Sequence, residues 1–137
     1  MGTEISPAAA ADHDVILDLH HEAGWAQSRV DGEVWVARED GELVGSLQFE
    51  ELPSGLLFIR AMVVREASGG RGGGGRMLDE ILETRHANWW LECRHERIRF
   101  YSRHGFQLVE EQAMPASVRE LARPRTDRRQ NFMHRET

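Results

Sequence analysis

LLFIRAMVVREASGGRGGGGRMLDEIL, residues 56–82, is the stretch on which the fold turns. Its first part, Leu56 to Val64, is almost unbroken apolar sequence, the pattern of a central strand covered on both faces. Its last part sets Met77, Leu78, Ile81 and Leu82 at helical spacing with charged residues between them, which gives an amphipathic helix one buried face. Between the two lies Ser68–Gly75, SGGRGGGG, too short to link domains. A helix start presents unpaired N–H groups and the positive end of a dipole. Glycines let that backbone approach a bulky anion without side-chain clash, and Arg71 and Arg76 add positive charge beside it. A glycine-rich turn taken alone reads equally well as a bare surface loop. The strand–loop–helix context and the two arginines favour a phosphate or pyrophosphate site.

Composition narrows the chemistry. The chain has 137 residues, enough for one domain with its own core, and 40% hydrophobic with 29% charged residues is ordinary for a globular protein. All 17 basic residues are Arg. Without Lys there is no Schiff-base amine and no GxxxxGK[ST] phosphate loop. A dinucleotide GxGxxG unit also fits poorly, because no short first strand leads into the glycines and no ribose-binding acid follows a second strand. One Cys, Cys93, cannot form an internal disulfide or a multi-thiolate metal site. It reads as a small buried hydrophobe, and cysteine usage fits a reducing cytoplasm. His20 and His21 are sequence neighbours on different faces of a helix, so no metal site is expected. No apolar run spans a bilayer and no signal pattern opens the sequence, so no membrane partner is expected. A net charge of −6 disfavours nucleic acid. Arg throughout in place of Lys suggests a GC-rich bacterial genome.

Working outward, Thr3–Ser6 reads as a short first strand or a frayed end. Asp12 is expected to cap a helix with Val15, Ile16 and Leu19 on its apolar face and Gly24 at its end. Val34–Ala37 and Leu43–Phe49 form a hairpin about Asp40-Gly41, and Pro53-Ser54-Gly55 turns the chain into the central strand. After the glycine helix, Trp89–Cys93 is a short buried strand, His95–Arg103 a helix ended by Gly105, and Phe106–Val109 a strand. Residues 111–128 carry no clear pattern, and Asn131–Met133 reads as a last strand. The four Trp are mostly core or interface residues, and Phe100, Phe106 and Leu108 are core. Arg119, Arg123, Arg125, Arg128 and Arg129 form a basic run, read as a solvated face. The order of elements gives an α/β (α+β) fold, a mixed sheet with helices on both faces, in a single domain over residues 1–137.

These residues resemble the GNAT superfamily of N-acetyltransferases. Val64 matches the strand-end valine, Gly69-Gly70-Arg71-Gly72-Gly73-Gly74 takes the phosphate-loop position, and Met77-Leu78 the apolar pair. Arg99-Phe100-Tyr101-Ser102-Arg103-His104-Gly105-Phe106 resembles the family's FYxxxGF element, preceded by Leu91-Glu92-Cys93. Ala37–Gly45 is similar to the early hairpin. The sequence departs from the pattern at Gly69, where the family carries Arg or Gln. The resemblance implies a mostly antiparallel sheet, acetyl-CoA as co-substrate, an amine acceptor and no metal. It places pantetheine against the backbone of Met62, Val63 and Val64, and the pyrophosphate against Gly69, Gly70, Arg71, Gly72, Gly73, Gly74, Gly75 and Arg76. It implies direct attack of the amine on the thioester in a ternary complex. Tyr101, the only Tyr, protonates the leaving thiolate; position alone favours a packed ring with its hydroxyl at the surface, and the resemblance reverses that order. Glu50 and Glu51 are the candidate bases, otherwise a solvated acidic turn, and His104 reads as a solvent-facing helix end. Two alternatives stay open: a non-catalytic module that binds acyl-CoA as a regulatory ligand, and a nucleotide-binding protein of another class. A homodimer is compatible with exposed sheet edges.

Overall fold

The computed structural model describes residues 3–24, 30–65, 73–122 and 130–136. Its elements are β1 (Thr3–Pro7), α1 (His13–Glu22), β2 (Glu33–Glu39), β3 (Glu42–Glu51), β4 (Leu57–Val64), α2 (Gly73–Glu83), β5 (Asn88–Arg94), α3 (Ile98–Ser102), β6 (Gln107–Val109), α4 (Ala116–Ala122) and β7 (Gln130–Glu136). The strands form a seven-stranded mixed sheet in the order β1-β2-β3-β4-β5-β7-β6. The β1–β2, β2–β3, β5–β7 and β6–β7 ladders are antiparallel and β4–β5 is parallel. The chain divides into two compact units, Met1–Phe49 with Ala61–Thr84, and Glu50–Arg60 with Arg85–Thr137.

In the first unit the β2–β3 hairpin turns at Asp40 and Gly41, both at positive φ (52° and 85°). That is the turn geometry whose twist matches paired strands. A register shift between Ala37 and Arg38 returns Leu43 to the face of Val36, where both pack with Ile16 and Leu19 of α1. The opposite face carries α2, whose Met77, Leu78, Ile81 and Leu82 are all buried. Burial of each such side chain contributes roughly 1.5–3 kcal/mol. Two details of α1 depart from expectation. Val15 is 38% exposed, because the buried stripe is Ile16, Leu19 and His20 and Val15 points about 100° away from Ile16.

Asp12 makes no side-chain cap to α1. Its carboxylate instead accepts the Ala9 N–H at 2.8 Å and Arg38 Nη2 at 2.7 Å. The Arg38 hydrogen bond, then the Ala9 N–H, holds the Asp12 carboxyl below its ordinary pKa. A lowered carboxylate pKa stabilises the fold above the ordinary value, and that stability disappears as pH falls through the folded pKa. Asp12→Asn should therefore cost about 1–3 kcal/mol at neutral pH. Melting curves of variant and parent should converge in acid, below the ordinary Asp pKa of about 3.9. An undiminished gap there would contradict the assignment.

In the second unit Phe58 lies beside Trp90 in the parallel register, and both pack with Leu52, Met114 and Val118. Met114 and Val118, one helical turn apart, are buried in the segment around α4. Trp89, Leu91 and Met133 are fully buried. Cys93 is buried as expected, with Sγ 3.8 Å from Met133 Sδ. Leu108 is not core: it is 56% exposed, on a three-residue strand at the sheet edge. Nor is β4 covered throughout, since Leu57, Phe58 and Ile59 are buried, Arg60 is exposed and Ala61–Val64 are half-buried. Arg60, a charge inside an apolar run, marks where the cover ends. Trp35 is half-buried, whereas Trp25, Arg123, Arg125, Arg128 and Arg129 lie outside the described residues. No described helix is long and apolar enough to cross a membrane.

Candidate active site

The expected site residues fall in both compact units. In the first, Met62, Val63 and Val64 end β4, and Gly73, Gly74, Gly75 and Arg76 begin α2. Gly69, Gly70, Arg71 and Gly72 lie outside the described residues. The parallel ladder of β4 with β5 covers Leu57–Ile59 against Trp89–Leu91, while β4 itself continues to Val64.

Gly74 is where strand and helix come closest. A Cβ built there would lie 3.1 Å from Val64 Cγ2 and 3.4 Å from Met62 Cε. Gly45 plays the matching part on β3, where a Cβ would meet the Val63 carbonyl oxygen at 3.2 Å and Val64 Cγ2 at 3.3 Å. Small residues at both positions hold the end of β4 tightly between β3 and the first turn of α2. That turn presents main-chain N–H groups without intrahelical acceptors. The eleven-residue α2 adds its dipole there.

The charges beside this junction are engaged. Arg76 Nε donates to Glu80 Oε1 at 3.3 Å along the exposed side of α2. An exposed pair of this type contributes at most about 1 kcal/mol, so exchanging Glu80 for another anion would cost Arg76 little. Arg65 was not singled out in the sequence. It follows β4 directly, donates its N–H to the Val44 carbonyl at 2.7 Å, and pairs with Glu22 and Glu42, each at 3.4 Å. It therefore ties the strand end to α1 and to the hairpin.

In the second unit Tyr101 sits on α3, half-buried. Its ring packs edge-on against Phe100 (centroids 5.1 Å apart) and Phe106 (5.9 Å). Burial first, then the neighbouring Cys93, pushes the phenol pKa up to about 12. The Cys93 thiol is itself pushed up to about 11, mainly by burial. It is a thiol and not a thiolate at neutral pH, which removes the obvious covalent nucleophile. His104 is not solvent-facing but half-buried, its ring 4.9 Å from that of Phe100.

Glu50 and Glu51 end β3 and point to opposite faces. Glu50 is half-buried and pairs with Arg60 at 3.5 Å, and Glu51 is exposed. The structure thus separates two carboxylates that sequence alone treats alike. Arg60 was missed as a partner, although its position inside the apolar run LLFIRAMVV was the available signal.

Comparison with solved structures places the fold. N-acetylglutamate synthase from Neisseria gonorrhoeae, complexed with coenzyme A and N-acetyl-glutamate, superposes with a TM-score of 0.83 at 19% identity over 99% of this chain and 35% of that one. The chain therefore spans about a third of the length of that protein. A Mycobacterium tuberculosis protein solved in complex with CoA gives 0.77 at 20% identity, covering 98% of this chain and 99% of that one. An acetyltransferase of the GNAT family from Staphylococcus aureus gives 0.74 at 18%, with 98% and 99% covered. No curated protein matches the sequence. Residues 30–108 match the family model described as an acetyltransferase (GNAT) domain, and the chain belongs to that family.

Proposed function

We propose that the protein is an N-acetyltransferase that moves acetyl from acetyl-CoA to an amine by direct attack in a ternary complex, with residues 1–137 serving as one domain. The observation that carries this reading is the junction of β4 with α2, where Gly74 brings the first turn of the helix against Met62 and Val64. The CoA bound in two structural neighbours supports it.

The residues present suit acetyl-CoA. The Met62–Val64 backbone offers N–H and C=O groups to the pantetheine amides, so the apolar character of these side chains is no obstacle. Main-chain N–H groups of Gly69, Gly70, Arg71, Gly72, Gly73, Gly74, Gly75 and Arg76 grip the pyrophosphate. Acetyl-CoA, when bound, supplies the thioester that the amine attacks. A main-chain N–H at Met62 or Val63 polarises its carbonyl. Glu50, oriented by Arg60, takes the amine proton through water, and Glu51 remains a solvated carboxylate. Tyr101 donates its phenolic proton toward the departing sulfur.

Thermal melting with acetyl-CoA, followed by thiol release with a panel of primary amines, tests the reading. The panel comprises alkylamines, amino acids and a lysine-containing peptide. Stabilisation together with release is expected. Stabilisation without release from any amine reduces the chain to an acyl-CoA-binding module, and the absence of both overturns the proposal. Gly74→Val should weaken the junction itself. Overpacking costs about 1–3 kcal/mol and should raise the KM for acetyl-CoA more than it lowers kcat. Steady-state kinetics at a temperature where the variant stays folded measures this split.

A further inference from the structure

We propose that Arg135, on β7, is a positioning residue for Tyr101, its guanidinium closing the C-terminal end of the short helix that carries the phenol. The inference rests on the reading of Tyr101 as the acid. Helix α3 has five residues. So short a helix has almost no stability of its own, and its orientation must be imposed from outside.

The turn that follows binds its own chain closely. His104 N–H donates to the Tyr101 carbonyl at 2.9 Å, Gly105 N–H to Ser102 at 3.2 Å, and Phe106 N–H again to Tyr101 at 3.2 Å. The His104 carbonyl accepts Arg135 Nη1 at 2.6 Å, a short charge-assisted bond. A cation there also faces the negative end of the helix.

Gly105 is fitted to this arrangement twice. Its φ of 87° is left-handed, which a side chain resists. A Cβ there would also lie 3.1 Å from Arg135 Cδ and 3.2 Å from its Nε. The Arg135 stem therefore lies directly over the turn. Arg135 is delivered by two ladders, since Gln107 pairs with His134 across β6–β7 and Trp89 pairs with Arg135 across β5–β7. Trp89, fully buried on β5, thus anchors the clamp. Because the Tyr101 carbonyl accepts from both sides of the turn and the Tyr101 ring packs on Phe106, displacing the turn displaces the phenol.

The single Tyr makes the test direct. In full-length protein labelled with ring-¹³C tyrosine, Arg135→Met should shift the one set of ring signals, and Arg135→Lys, which keeps a donor, should leave them near the parent's. Unmoved signals in a folded Arg135→Met overturn the clamp. In assays with acetyl-CoA and the fastest amine of the panel above, Arg135→Met should lower kcat about tenfold, the scale of a modest misplacement. In a Tyr101→Phe background the same change should cost less than about twofold. An equal loss in both backgrounds means general structural damage and overturns the proposal. A wild-type rate for Tyr101→Phe alone overturns the acid assignment instead, and the ring signals then decide the clamp by themselves.

Discussion

Tyr101→Phe should lower kcat about 100-fold while changing the KM for acetyl-CoA by less than about twofold, the effect of removing a positioned proton donor. The substitution deletes one oxygen and keeps the ring, so the edge-on contacts with Phe100 and Phe106 survive and melting should barely move. The pKa of about 12 bears on how a phenol in the proposed role would work. A free thiol titrates near 8.5, so full transfer to a separated thiolate would be uphill by more than 3 units, or about 5 kcal/mol. A phenol in the proposed role would therefore act mainly as a hydrogen-bond donor to the charge developing on sulfur. The raised pKa also fixes the pH dependence. The donor stays protonated as pH climbs through the ordinary Tyr range, and the loss of rate assignable to Tyr101 should begin only near pH 11. A wild-type rate in the Phe variant, or a descending limb at pH 10 that vanishes with it, would count against this picture.

Trp89→Ala should cost about 3–5 kcal/mol in chemical denaturation, as for a large side chain deleted from a closed core. Trp89 is fully buried, lies beside Leu57 in the parallel ladder and faces Arg135 in the antiparallel one, and donates Nε1–H to the Arg85 carbonyl at 3.4 Å. Ordinary domains are stable by about 5–15 kcal/mol, so the variant should sit near the edge of folding. Leu108→Ala, on the exposed edge, should stay within about 0.5 kcal/mol. Comparable losses for the two would mean that the core is wrongly drawn.

The sequence was most legible where one period dominates. Met77, Leu78, Ile81 and Leu82 repeat at helical spacing and are buried together. Asp40-Gly41 is a turn signal strong enough to set both strands of its hairpin. Legibility failed where burial depends on what another element covers. Leu108 and Phe106 share a periodicity, and only the neighbouring layer distinguishes exposed from buried. Around α4, Met114 and Val118 are buried one turn apart, but Pro115 lies between them and too few apolar residues flank them to show a period. Asp12 looked like a helix cap, and no local pattern revealed Arg38, 26 residues away. At the candidate site, Arg60 left a local trace as a charge inside an apolar run, whereas the contact of Arg135 with the turn after α3 is long-range and left none.

Every cation in the ion pairs described above, Arg38, Arg60, Arg65 and Arg76, is a guanidinium. A guanidinium holds its proton at any working pH and cannot serve as an acyl acceptor. The sequence contains no Lys, so an enzyme with the proposed activity would carry no side-chain amine of its own. N-acylation of side chains would then leave these ion pairs untouched, and any acyl-lysine found in an assay mixture would have to reside on the acceptor.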